Sequence, residues 1–156
     1  MPTILKEERL KGIAYQTFEI TCYMFPLEEW EIDENETVDL GDDSISAVVR
    51  FDGAVKGGMQ IRVSPDLFDA IAENMLGLEE GNQELKEGAL CEIANIICGN
   101  TVPIFAKGEE ICYIRTPRIA ESQQAAEGEF GSMISEKIHV HLDEGVAEVT
   151  IYYSEN

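Results

Sequence analysis

The chain has 156 residues, 44% of them hydrophobic, and its 31 acidic residues against 11 basic ones give a formal net charge of −20. This length and apolar content exclude the disordered and fibrous classes and predict a single domain over residues 1–156 with a sizeable core. The charge argues against nucleic acid and anionic lipid as partners, because binding to phosphates requires cations on the protein.

Targeting and redox signals are sparse. No uncharged stretch approaches the roughly 18 apolar residues of a membrane helix, and the charged segment Lys6–Arg9 lacks the apolar core of a signal peptide. We therefore expect a cytoplasmic protein without membrane insertion. The four cysteines show no Cys-x-x-Cys pair and no histidine at zinc-ligand spacing, which predicts reduced thiols that pack as small hydrophobic groups: Cys22, Cys91, Cys98 and Cys112.

The first part of the chain predicts one helix and a strand hairpin. Apolar residues at helical spacing predict a helix over Leu5–Met24. The run Glu28–Asp43 holds nine acidic residues and no basic one, which predicts a solvated loop or an extended edge. Alternating and β-branched residues predict antiparallel strands over Ser44–Phe51 and Val55–Val63, joined by a turn at Asp52-Gly53.

Two further helices are predicted after this hairpin. Ser64 is expected to supply the N-cap oxygen of a helix over Pro65–Gly77. The next helix begins near Gln83, and Gly99 is its first plausible stop. Because the ring of Pro103 would meet the carbonyl of Gly99 in a regular helix, either this helix kinks there or a new short helix follows. The predicted buried face of the helix consists of Leu85, Ala89, Ile93, Ile96 and Ile97.

The last third of the chain predicts strands. Ile111–Arg115 is predicted to be a strand, and Pro117–Glu129 a small, polar loop. The final two strands, Ile134–Leu142 and Val146–Tyr153, are joined by a short hairpin loop. Together the elements predict an α+β fold in which long helices pack on one face of a mainly antiparallel sheet.

Common enzyme signatures are missing from the sequence, which has no nucleophile elbow, no Walker loop and no His-Glu-x-x-His. The two histidines, His139 and His141, share a face of a predicted strand. Without a third ligand nearby, exposed strand side chains are favoured over a metal site. The aromatic residues Trp30, Tyr152 and Tyr153 are interpreted as core or interface residues.

One polar pair on the second predicted helix is distinctive. At about 100° per residue, Glu92 and Asn95 project about 60° apart beside the apolar face. Gly88 lies between them in angle, and a helical glycine costs about 0.5–1 kcal/mol relative to alanine, so close approach of another surface would account for it. From spacing alone a solvated carboxylate and amide are favoured, because Glu79–Asn82 repeats the Glu-x-x-Asn spelling in a predicted loop.

The longer stretch Glu92–Asn100 reads Glu-Ile-Ala-Asn-Ile-Ile-Cys-Gly-Asn. It resembles the Glu-[Leu/Ile]-[Ala/Gly/Thr]-Asn-Met-x-x-Gly signature of the CheX-like chemotaxis phosphatases, within the CheC/CheX/FliY group. The order of elements is similar to that family over most of the chain. Two positions depart from the pattern. Gly88 stands where the family usually has Asp or Ser, so any role of that residue is lost or taken by Glu87 or Glu84. Pro103 interrupts a helix that the family tends to continue. The single copy of the motif resembles CheX rather than CheC.

This resemblance implies a phosphatase that hydrolyses the aspartyl phosphate of a CheY-type response regulator in two-component signalling. It implies that Asn95 orients the attacking water, that Glu92 pairs with the regulator's lysine, and that Gly88 and Cys91 belong to the docking surface. Mg²⁺ is expected on the regulator and no cofactor on this chain.

The resemblance also implies a homodimer, through either the Ile111–Arg115 strand or the C-terminal hairpin. Two alternatives remain open at this point. One is a non-catalytic module of the same fold that binds a receiver domain, and the other is a purely structural dimer subunit.

Overall fold

A computed structural model describes residues 3–32, 40, 42–53, 55–77, 82–105, 112–131 and 133–154. The helices are α1 (Thr3–Cys22), α2 (Pro65–Leu76), α3 (Gln83–Phe105) and α4 (Gln123–Gly128), with one 3-10 turn at Glu29–Glu31. The strands are β1 (Ile45–Gly53), β2 (Gly57–Val63), β3 (Cys112–Ile114), β4 (Arg118–Ile119), β5 (Ile134–Leu142) and β6 (Gly145–Tyr153). They form one antiparallel sheet in the order β3-β1-β2-β6-β5, and β4 also pairs with β1.

Alternation of side chains along the strands gives the sheet two different faces. Ala47 and Val49 of β1 enter the main core together with the buried residues of α1, α2 and α3. Val48, between them, points the other way and joins a small cluster with Ala126 and Phe130. The three long helices therefore cover one face, which confirms the predicted α+β fold, while α4 and Phe130 cover part of the opposite face.

Helix α2 has the predicted extent but not the predicted cap. Gly77 ends the helix in the left-handed region at φ 69°, and its N–H donates to the Glu73 carbonyl. Ser64 occupies the N-cap position, yet its side chain makes no capping hydrogen bond, so that prediction is wrong. The Ser64 hydroxyl is buried beside the hairpin glycine Gly145, where an added Cβ would clash with its Oγ.

Two connections differ from the prediction. Asp52 and Gly53 were expected to form a turn, but they extend β1 because they pair with Tyr113 and Cys112 of β3. The expected loop over Pro117–Glu129 contains β4 and α4. Helix α4 begins after Ser122, whose Oγ accepts a hydrogen bond from the N–H of Ala125 at 3.0 Å.

Several predictions lie outside the described residues. They include half of the acidic run, at residues 33–39 and 41, and residues 79–81 of the predicted loop over Glu79–Asn82. The single-domain interpretation likewise stays a prediction. Among the helices that the structure describes, none has the length and apolar character needed to cross a membrane. All four cysteines are free thiols; two of them are buried and two are half-buried.

Candidate functional site

Helix α3 carries every residue of the candidate site, and its first turn is fixed to its surroundings. Asn82 caps the helix: its Oδ1 accepts from the N–H of Leu85 at 2.8 Å, and its carbonyl accepts from the N–H of Lys86 at 3.1 Å. The Lys86 ammonium donates to Oδ1 of Asp69 on α2 at 2.8 Å. Because this ion pair is partly exposed, packing of the apolar face contributes more to the position of α3 than the pair does.

The buried side of α3 is displaced from the predicted one. It consists of Ala89, Leu90, Ile93, Ala94, Ile97, Cys98, Thr101 and Val102. Leu85 was predicted to be buried but is 45% exposed, and Ile96 is only half-buried. Packing of α3 against α1, α2 and β1 selects the buried face, and this face leaves Leu85 at the edge of the contact with α2.

The opposite side of α3 faces solvent in a continuous stripe. Gly88, Glu92, Asn95 and Gly99 are all exposed and follow one another at intervals of three or four residues. Residues three apart on a helix have Cβ atoms about 5–6 Å apart, so the structure brings Glu92 and Asn95 together. Neither side chain makes a hydrogen bond or an ion pair with any described residue. The carboxylate and the amide are therefore both available to an external partner.

Two glycines keep the helix surface bare on either side of this pair. A Cβ added at Gly88 would meet no atom within 4 Å, and one added at Gly99 would meet only Cδ1 of Ile114, at 4.0 Å. The internal packing thus requires neither glycine, although alanine would stabilise the helix by up to about 1 kcal/mol at each position. Small residues here allow another protein to approach the helix backbone closely.

The two cysteines of α3 are not reactive groups. Cys91 is half-buried beside the exposed stripe; burial raises the pKa of its thiol, and the Glu87 carboxylate raises it further. Cys98 is fully buried, and burial raises the pKa of its thiol to about 12. Both thiols stay protonated at neutral pH and make poor nucleophiles. A docking role for Cys91 stays a prediction.

Helix α3 does not end at Gly99 but continues through Pro103 to Phe105. Proline removes the hydrogen bond that residue 103 would donate to the Gly99 carbonyl. In the preceding turn, Asn100 Nδ2 donates to the Ile96 carbonyl at 2.9 Å, and Thr101 Oγ1 donates to the Ile97 carbonyl at 2.6 Å. Because the helix extends beyond Gly99, Glu92 and Asn95 lie in its interior rather than at a fraying end.

A groove runs along each side of the exposed stripe. The α2–α3 groove has a volume of about 460 Å³, and its lining includes Met75, Leu76, Glu84, Leu85, Gly88 and Glu92. The α1–α3 groove has a similar volume of about 460 Å³, and its lining includes Arg9, Ile20, Ile96 and Asn100. Sequence patterns could not reveal these grooves, because they depend on where α1 and α2 pack against α3.

The two histidines are separate from this site. They alternate with core residues of β5, so they point away from the core that the long helices cover. His139 Nε2 lies 3.1 Å from Oε2 of Glu148, and both histidines are half-buried rather than exposed as expected. Burial lowers the pKa of His141, as do the nearby His139 and Lys11. The described part of the chain holds no group of three potential metal ligands.

A family model described as chemotaxis phosphatase CheX matches residues 45–130. This range is more than half of the 156-residue chain and contains the whole exposed stripe of α3. None of the curated proteins with which the chain was compared is significantly similar to it in sequence.

Solved structures of CheX and CheC-like proteins share the fold. A CheX–CheY–BeF₃–Mg²⁺ complex from Borrelia burgdorferi aligns with a TM-score of 0.74 at 19% identity, covering 95% of this chain and 97% of that chain. The CheX of Desulfovibrio desulfuricans aligns with a TM-score of 0.72 at 15% identity, covering 96% of this chain and 99% of that chain. A CheC-like protein from Shewanella sp. PV-4 aligns with a TM-score of 0.69 at 14% identity, covering 95% of this chain and 96% of that chain. These likenesses confirm the fold, and the family match, which contains the whole signature helix, shows that the chain belongs to the CheX family of chemotaxis phosphatases.

Proposed function

We propose that the protein hydrolyses the aspartyl phosphate of a CheY-type response regulator in the cytoplasm, using Asn95 and Glu92. The observation that carries this proposal is the exposed pair in the interior of α3, whose polar groups make no hydrogen bond or ion pair with any described residue. Membership of the CheX family supports a chemotaxis phosphatase role. The Borrelia relative was solved in complex with CheY, which supports a partner of that type.

Asn95 is proposed to enter the regulator's active site and to orient a water in line with the phosphorus. The water oxygen attacks phosphorus, the bond from phosphorus to the aspartyl oxygen breaks, and the products are inorganic phosphate and a free carboxylate. Phosphoryl transfer has a loose transition state, so positioning and charge stabilisation supply most of the acceleration and no strong base is needed on this chain. An amide can both donate and accept, and unlike a carboxylate it is not repelled by the phosphoryl oxygens.

Glu92 is proposed to pair with the regulator's active-site lysine. A carboxylate one helical turn from Asn95 can fix both the position and the register of α3 on the regulator while Asn95 faces the phosphoryl group. Gly88 and Cys91 belong to the same docking surface. Mg²⁺ is assigned to the regulator, and no cofactor to this chain.

The test is phosphate release from a phosphorylated regulator with Mg²⁺, measured for wild type and for Asn95→Ala. We expect the rate to fall at least about 100-fold, because a transition-state contact is lost, while the affinity for the beryllofluoride-loaded regulator changes little. Asn100→Ala is the control, since it removes an exposed amide from the same helix. Equal rates for wild type and Asn95→Ala would exclude the assigned role. A wild type that binds the regulator without accelerating release would favour the non-catalytic module.

Glu92→Lys, in the same assay, separates docking from chemistry. It places a cation opposite the regulator's lysine, so we expect binding itself to be lost. Glu8→Lys makes the same charge change at an exposed position of α1 and serves as the control. Retained affinity in Glu92→Lys would remove the docking role.

We also propose a homodimer. Within the described residues, β3 and β5 are the end strands of the sheet, so both interfaces suggested by the sequence lie at sheet edges. Edge strands present backbone groups that can pair with another chain, and β5 offers a nine-residue edge. We expect light scattering to give twice the mass of one chain. A measured mass of one chain would refute the homodimer.

A further inference from the structure

The α2–α3 groove presents apolar side chains to solvent directly beside the proposed site. Leu76 at the end of α2 is 44% exposed and Leu85 in the first turns of α3 is 45% exposed. Both line the groove with Met75, and Gly88 leaves part of it open. No residue that the structure describes covers these leucines. An open apolar groove of about 460 Å³ is large enough for one or two side chains of a partner.

The charges around this groove are all of one sign. Glu84 and Glu92 line it eight residues apart on α3, which separates them by about 12 Å along the helix axis. Neither makes an ion pair with any described residue. The cation nearest in sequence, Lys86, is bound to Asp69. The complementary ligand is therefore an apolar side chain with a basic residue on each side of it.

The α1–α3 groove on the other side of the stripe has a different character. It contains a cation, Arg9, and polar side chains that include Gln16 and Thr17. A ligand with two basic residues fits the α2–α3 groove better. Glu92 and Gly88 belong both to this groove and to the exposed stripe, so one partner can occupy the two together.

We propose that the α2–α3 groove is a specificity subsite for the response regulator, an inference that rests on the proposed function. The groove receives an apolar side chain of the regulator, and a second basic residue of the regulator pairs with Glu84 while the active-site lysine pairs with Glu92. This contact selects among regulators that share the same phosphorylation chemistry, because an apolar residue and a second cation outside the active site can differ from one regulator to another. It also supplies the local attraction that a chain of net charge −20 needs to dock on a phosphorylated protein.

The test compares Leu85→Ala and Leu76→Ala with wild type. Dissociation constants are measured with a beryllofluoride-loaded regulator and Mg²⁺, and kcat and KM with the phosphorylated regulator. We expect Kd and KM to rise about tenfold for Leu85→Ala, as for truncation of a buried interface anchor, and kcat to stay within about twofold. Ile20→Ala is the matched control, because Ile20 is 65% exposed but lines the other groove. Thermal melts establish that each variant is folded.

The acidic end of the groove has its own variant pair. Glu84→Gln removes the charge and nearly preserves the shape. We expect a severalfold weaker affinity at low salt and a difference from wild type that shrinks as salt is added, because salt screens an attraction that only wild type makes at this position. Glu84→Lys reverses the charge and weakens binding further. Equal salt dependence in wild type and Glu84→Gln would refute the second basic contact.

Other outcomes would overturn the subsite. Unchanged Kd in both leucine variants, or an equal loss in Ile20→Ala, contradicts it. A change of oligomeric state in the leucine variants with unchanged regulator affinity would assign the groove to a second copy of the chain instead. The proposed function is tested separately, because binding of the beryllofluoride-loaded regulator requires no hydrolysis. If wild type binds through the groove but does not accelerate phosphate release, the subsite stands and the phosphatase function is refuted. If Asn95→Ala is inactive and the leucine variants bind the regulator as tightly as wild type, the phosphatase function stands and the subsite is refuted.

Discussion

Gly88 is a helical residue whose proposed docking role would come at the expense of helix stability. It lies in the interior of α3, is exposed, and has free space where a Cβ would stand. The CheX-like signature that the sequence resembles usually has Asp or Ser at this position, where this chain has glycine. A bare backbone at this point leaves room for the regulator to approach both Glu92 and the α2–α3 groove.

Gly88→Ala is therefore expected to separate stability from binding. The free energy of unfolding rises by about 0.5–1 kcal/mol, because alanine is the better helix former and its methyl group meets nothing in the free protein. Affinity for the beryllofluoride-loaded regulator falls, because the methyl group stands on the docking surface. Denaturant titration and a binding measurement give the two quantities.

Gly12→Ala provides the control for Gly88→Ala. Gly12 is also an exposed helical glycine whose added Cβ meets nothing within 4 Å, but it lies in α1. It should show the same gain in stability with unchanged affinity. If Gly88→Ala binds as tightly as wild type, the backbone at Gly88 is not part of the interface.

At the scale of elements, the end of α1 depends on an unusual backbone conformation. Tyr23 adopts φ 56°, in the left-handed region, directly after the last helical residue. The N–H of Met24 then donates to the Phe18 carbonyl at 3.2 Å, which closes the helix end. Glycine is the usual residue in such a cap, because L side chains are strained there. The Tyr23 side chain is 73% exposed, so its packing does little to offset that strain.

Tyr23→Gly should accordingly stabilise the protein, by up to about 1 kcal/mol after the greater entropy of glycine in the unfolded chain is deducted. The gain in stability is measured as a higher urea concentration at the midpoint of unfolding. Tyr113→Gly is the contrasting variant, since Tyr113 is also exposed but lies in strand β3 with an ordinary backbone, where glycine destabilises. A lower midpoint for Tyr23→Gly would mean that the aromatic ring contributes more than the strain removes.

Elements with a regular pattern were predictable, and those that depend on distant contacts were not. The alternation in Ile134–Leu142 predicted β5 with the observed bounds. The proline rule favoured a stop or a kink near Gly99, but buried residues beyond it, such as Val102, keep the helix packed on the core. Helix α4 is six residues long and is anchored by Ala126 in the small cluster on the opposite sheet face, which local sequence cannot indicate.

The same division holds for the candidate site. Helical periodicity alone predicted that Glu92 and Asn95 share one side of α3. It could not predict that Leu85 is exposed, because an apolar residue at helical spacing has the same pattern whether it enters the core or lines a docking groove. The course of α2 beside α3 decides between the two, and that course is set by packing across many residues.

For the whole molecule, we expect the repulsion that comes with a net charge of −20 to exceed the attraction within the ion pairs. Most basic side chains in the described residues are already paired with acids: Arg50 and Arg118 with Glu129, Arg115 with Asp52, Lys137 with Glu148, and Lys86 with Asp69. The remaining acids repel one another more strongly in the compact state than in the expanded unfolded chain. We therefore expect electrostatics summed over the molecule to destabilise the native state.

Added salt should thus raise the melting temperature at pH 7. Between about 50 and about 500 mM NaCl the Debye length falls severalfold, which screens the repulsion between exposed carboxylates. If this screening stabilises the native state by about 1 kcal/mol, the melting temperature rises by about 2–4 °C for a chain of this length. The control is the same salt step near pH 4, where many carboxylates are protonated and the increase should shrink. A melting temperature that falls with salt at pH 7 would show that surface ion pairs such as Arg115 with Asp52 contribute more than the net repulsion removes.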